Sequence, residues 1–154
     1  MRWGRKARGL VGGGPAAEKR GTSVKMLLVD DNPVVRTGLR RAIELKTTFE
    51  VVGEAGDGVE AVKLARELDV DIVLMDVRMP IMDGIEATTR IKADKPNVYV
   101  LAISGSADPV AVSGMLRAGA SGYVLKGSLP EEFLSPLEAV TTGHNVRPIE
   151  PLKL

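Results

Sequence analysis

At 154 residues, with 44% hydrophobic and 27% charged side chains, the chain has the length for one compact domain and is cramped for two. It contains no cysteine, which excludes disulfides and thiolate metal sites, and no run of 18 apolar residues that would form a transmembrane helix. The net charge of +1 hides an asymmetry, because residues 1–23 carry six bases against one acid (+5) and leave −4 on the remainder. A mildly acidic body is unlike a nucleic-acid-binding surface, so no direct DNA binding is expected.

Residues 1–23 hold six glycines and no sustained apolar period, which predicts a disordered basic extension. From Val24 onward, short apolar runs alternate with longer amphipathic ones, the pattern of βα units around a parallel sheet. The predicted strands are Val24 to Val29, Phe49 to Glu54, Ile72 to Met75, Val98 to Ile103 and Gly122 to Leu125. Between and after them fall predicted helices Pro33 to Lys46, Gly58 to Glu67, Gly84 to Ala93, Asp108 to Ala118 and Pro130 to Thr142. The first opens on Pro33 with Asn32 as its cap. This is an α/β, doubly wound parallel sheet covered on both faces, with one folded domain over residues 24–144 and a tail over 145–154. The second strand runs out in Gly53, Glu54 and Ala55, which suits an edge.

Doubly wound sheets bind ligands beyond the carboxyl ends of their strands. The residues there are Asp30 and Asp31 after the first strand, Asp76 after the third, Ser104 after the fourth and Lys126 after the fifth. With the first and third strands adjacent, three carboxylates converge. Two like charges about 4 Å apart repel by about 4 kcal/mol at an effective dielectric near 20, so the cluster calls for a cation or a shifted pKa. A hard divalent ion such as Mg2+, held by carboxylates and phosphate oxygens, answers that need. Lys126 adds a compact positive charge and Ser104 a hydroxyl donor. Together the parts match phosphoryl transfer to a carboxylate nucleophile, Asp76.

Each part has a plainer reading. Asp30 and Asp31 before Asn32 and Pro33 also suit a polar strand-to-helix turn, Asp76 a loop start, and Lys126 a solvated lysine. The joint pattern favours a site, because these residues fall at separate strand ends that the fold gathers.

The segments MLLVDDNPVVRTGLR, DIVLMDVRMPIMDGIEA, LAISGS and AGASGYVLK resemble the receiver domains of bacterial two-component response regulators, from about Val24 to His144. The resemblance implies a flavodoxin-like five-stranded sheet of order 2-1-3-4-5. It implies that Asp76 accepts the phosphoryl group, that Asp30 and Asp31 support Mg2+ with Asp31 a direct ligand, and that the backbone carbonyl of Arg78 completes the metal shell. Ser104 and Tyr123 then match the family's switch pair and Lys126 its lysine. The implied donor is a sensor histidine kinase in the cytoplasm. The implied readers are a downstream protein or a second receiver, and no membrane partner is expected. On this reading Ser104 moves toward the phosphoryl group, Tyr123 fills the vacated space, and the chain catalyses only its own phosphorylation and dephosphorylation.

The sequence also departs from the family. Lys126 is followed by Gly127 and Ser128, as in receivers attached to LuxR-type helix-turn-helix outputs, and Pro136 interrupts the last predicted helix. Only twelve residues follow Thr142, too few for such an output, so the expectation is a receiver standing alone or cut from a longer regulator. Two rivals stand beside this reading. A Mg2+-dependent phosphohydrolase with an aspartyl-phosphate intermediate needs an acid two residues past Asp76, where Arg78 stands. A receiver-shaped binding module needs no phosphate at all.

Overall fold

A computed structural model describes residues 23–106 and 108–126. The expected last helix with Pro136, His144, the N-terminal extension and the C-terminal tail lie outside the described residues. Among the described residues nine elements alternate: β1 (Lys25–Val29), α1 (Pro33–Lys46), β2 (Glu50–Ala55), α2 (Gly58–Glu67), β3 (Ile72–Asp76), α3 (Gly84–Asp94), β4 (Tyr99–Ser104), α4 (Pro109–Ala118) and β5 (Gly122–Leu125). The strands form one all-parallel sheet in the order β2-β1-β3-β4-β5. The expected order holds, with β2 at the edge.

Strand side chains alternate between faces, and the buried residues divide accordingly. Leu27, Val29, Val73, Met75, Val100 and Ala102 share one apolar cluster with Ala61 and Val62 of α2, Ile91 of α3 and Met115 of α4. Met26, Leu28, Ile72, Leu74, Leu101 and Ile103 share the other with Ile43 of α1. A strand buried on both faces has no polar positions, which is why β1 and β3 read as unbroken apolar runs.

Helix starts are set by side-chain caps. Asn32 Oδ1 accepts from Val34 N at 2.9 Å, Asp57 Oδ1 from Glu60 N at 2.8 Å, Asp83 Oδ1 from Glu86 N at 2.9 Å and Asp108 Oδ1 from Val110 N at 3.0 Å. Three of the acids at the carboxyl edge of the sheet are thus engaged by helix N-termini. At the other end of α4, Gly119 adopts φ 115°, the left-handed C-cap that a side chain disfavours. Three strands end one residue later than expected: Ala55, Asp76 and Ser104 are the last residues of β2, β3 and β4.

Candidate functional site

Because β1 and β3 are neighbours, their ends bring Asp30, Asp31 and Asp76 together. One carboxylate oxygen from each lies within 4.8 Å of the others. The expected convergence is therefore present. Asp30 is fully buried, Asp76 has 4% of its side chain exposed, and Asp31 is exposed at the rim.

Asp30 is held from several sides. Its Oδ1 accepts from Asn32 N at 2.8 Å, its N–H donates to Ala55 O at 3.1 Å, and its carbonyl accepts from Arg36 Nη1 at 2.5 Å. Arg36 Nε in turn donates to Glu54 Oε1 at 2.8 Å, and Arg40 pairs with the other Glu54 oxygen. This brace of Arg36, Arg40 and Glu54 is absent from the sequence-based reading. Its only trace there is a pair of arginines four apart on the first helix, followed by an acid at a strand end.

Lys126 reaches in from the end of β5, where its N–H donates to Ser104 O at 2.6 Å. Its Nζ stands 2.8 Å from Asp30 Oδ2 and 3.2 Å from Asp76 Oδ2. Lys126 thus pairs with both buried oxygens, and no other group among the described residues donates to either. The expected partner, Asp76, is the more distant of the two. Burial opposes the Lys126 charge, but hydrogen bonding and attraction from Asp30 and Asp76 outweigh it and raise its pKa.

Burial first, and then the Asp30 charge, push the Asp76 carboxyl up from its ordinary 3.8 to about 6, with Lys126 working against both. At neutral pH the group is still largely ionised. Two buried carboxylate oxygens sharing a single lysine charge, beside an exposed third carboxylate, suit a hard cation with oxygen ligands, and no histidine or cysteine lies at the site among the described residues.

The loop from Asp76 to α3 is clamped by backbone bonds. Gly84 N donates to Val77 O at 2.7 Å, Val77 N to Ile103 O at 3.2 Å and Gly58 N to Met82 O at 3.1 Å. A Cβ on Gly84 would fall 2.1 Å from Asp76 O, and one on Gly58 2.3 Å from Met82 O. Only glycine permits both approaches. Ile81 in this loop takes φ 74°, a strained conformation for a β-branched residue.

Ser104 is buried, and its Oγ accepts from Ser106 N at 3.3 Å. Tyr123 is fully buried in the apolar cluster under α4, and its hydroxyl donates to Ser106 O at 2.8 Å. In this structure the Tyr123 ring, expected to fill space that Ser104 vacates, is already inside. The physical reason is that the interior offers it both apolar packing and a carbonyl partner. Arg78 directs its side chain away from the acids, with Nη2 2.7 Å from Asp108 Oδ2.

The chain matches the response regulator receiver domain family over residues 26–138. The nitrate/nitrite response regulator protein NarP of Escherichia coli is 37% identical over 125 residues, covering 81% of this chain and 58% of that protein. A LuxR-family two-component response regulator from an Aurantimonas species superposes with a TM-score of 0.78 at 38% identity, over 84% of this chain and 91% of that one. The CheX–CheY complex with BeF3− and Mg2+ from Borrelia burgdorferi includes a chain that superposes with a TM-score of 0.73 at 29% identity, over 78% and 90%. A sheet of this order with its acids and lysine at the strand ends, together with these matches, makes the chain a member of the response regulator receiver domain family. It spans slightly more than half the length of the curated relatives it matches.

Proposed function

We propose that this receiver takes a phosphoryl group on Asp76 from a sensor histidine kinase and thereby changes a surface read by another protein. The gathering of three carboxylates and one lysine at the ends of β1, β3 and β5 carries this reading. An Asp76 oxygen bonds to phosphorus as the donor's P–N bond breaks and the imidazole leaves. The reaction needs the carboxylate ionised, and a pKa of about 6 leaves it so at pH 7.

Asp31 and Asp76, supported by Asp30 and the Arg78 carbonyl, would hold Mg2+, which when bound supplies positive charge against the carboxylates and the phosphoryl oxygens. Lys126, anchored between Asp30 and Asp76, keeps a donor beside the acceptor oxygen. With Tyr123 already buried, the Ser104 hydroxyl is the part left to turn toward the phosphoryl group. Chemistry beyond the chain's own phosphorylation and dephosphorylation is not proposed. The phosphohydrolase rival needs an acid where Arg78 stands, and Arg78 is engaged with Asp108.

The test is direct. The protein is incubated with Mg2+ and acetyl phosphate, and its intact mass is measured beside Asp76→Asn. An acid-labile gain of one phosphoryl group in the parent alone is expected. Equal gain in the variant, or none in the parent, overturns the assignment. A parent that takes up no phosphoryl yet binds a partner would instead favour a phosphate-independent module.

A further inference from the structure

Beside the acceptor lies a cleft of about 360 Å3 between the loop after β3 and the start of α4, with Val77, Met79 and Ile85 on one side and Val110 and Ala111 on the other. One ion pair spans it, Arg78 Nη2 to Asp108 Oδ2 at 2.7 Å. Among the described residues this is the one polar side-chain link between that loop and α4.

Asp108 serves two partners at once. Its Oδ1 caps α4 through Val110 N at 3.0 Å while its Oδ2 holds Arg78. The ten-residue helix it caps carries Gly114, a poor helix former, at mid-length. Gly114 lets α4 approach α3 so closely that a Cβ there would fall 2.7 Å from Ile85 Cδ1. The position of the first turn of α4 therefore depends heavily on the Asp108 carboxylate.

Arg78 stands two residues past Asp76, with its side chain 67% exposed against 34% for Asp108. Exposed pairs of this kind contribute little and exchange partners readily. A guanidinium engages paired phosphoryl oxygens more strongly than one carboxylate oxygen.

We infer that Arg78 and Asp108 form a latch tying the first turn of α4 to the acceptor loop in the unphosphorylated protein, and that a phosphoryl group on Asp76 draws Arg78 away and frees that turn. The release step rests on the proposed function; the latch does not. This route from Asp76 to α4 bypasses Ser104 and Tyr123, which matters because Tyr123 is already buried.

The test is amide hydrogen exchange over Val112 to Leu116 in the parent, Arg78→Ala, Asp108→Asn and the double variant. Asparagine caps a helix about as well as aspartate, so Asp108→Asn separates the ion pair from the cap. Without phosphoryl donor, each single variant is expected to exchange about two- to fivefold faster than the parent, and the double variant no faster than either. Equal rates in the parent and both single variants overturn the latch. After Mg2+ and acetyl phosphate, with uptake read by intact mass, the parent is expected to reach the rate of the variants and Asp108→Asn to show no further rise. A rise as large in Asp108→Asn as in the parent overturns the release step. A parent that gains no mass overturns the proposed function and the release step together, while the comparison without donor still decides the latch.

Discussion

Asp76 sits beside the Asp30 carboxylate in a nearly closed corner, and its pKa of about 6 records what that position costs the metal-free fold. A carboxyl with a raised folded pKa holds its proton more tightly when folded than when unfolded. Its stabilising proton is present below about pH 4 and is lost as pH climbs through about 6. Asp76→Asn removes that liability, so at pH 7.5 without metal the variant is expected to be more stable than the parent by about 2 to 3 kcal/mol in urea denaturation. The gap should close on acidification toward pH 4. A variant less stable than the parent at pH 7.5 would contradict the charge crowding. At this scale the site was largely legible in the sequence, because Asp30, Asp31, Asp76, Ser104 and Lys126 each follow an apolar run and only one architecture gathers such ends. The brace of Arg36, Arg40 and Glu54 was not legible, since an exposed-looking arginine on a helix and an acid at a strand end meet only when β2 lies beside β1.

The elements that carry the acceptor are fitted through glycines, and the cost of adding a methyl group depends on what faces it. Gly58→Ala and Gly84→Ala each drive a Cβ into a backbone carbonyl, at Met82 and Asp76 respectively, and should destabilise by about 2 to 4 kcal/mol. At Gly38 in α1 an added Cβ would have nothing within 4 Å, so Gly38→Ala should stabilise by about 0.5 to 1 kcal/mol. Thermal or urea denaturation of the three variants checks the contrast, and similar effects at all three positions would refute it. Three helix starts were read as observed and the fourth one residue early, at Asp108, which caps α4; the caps Asn32, Asp57, Asp83 and Asp108 make helix starts a local property. Strand ends were read a residue early at Ala55, Asp76 and Ser104, because pairing with Val29, Ile103 and Leu125 extends the ladder.

For the whole molecule, the proposed metal site would link folding to metal binding. Only the folded sheet gathers Asp30, Asp31 and Asp76, so an ion that binds there stabilises the fold by mass action. At a Mg2+ concentration about a hundredfold above its Kd the gain is about 2.7 kcal/mol. That corresponds to about 5 to 10 °C in melting temperature for a domain of this size. A chelator should reverse the rise, and Asp31→Asn should remove most of it. Melting that ignores Mg2+ in the parent would count against a metal site.

The α/β class and the strand ends to watch were set by the alternation of apolar runs with amphipathic ones, because a strand buried on both faces and a helix buried on one have different periods in any context. The faces of the sheet on which the residues pack, the Lys126 contact with Asp30 as well as Asp76, the burial of Tyr123 and the reach of Arg78 to Asp108 were decided only in three dimensions. These depend on which strands are neighbours and on which interior sites lie within reach of a side chain, and neither is a property of local sequence.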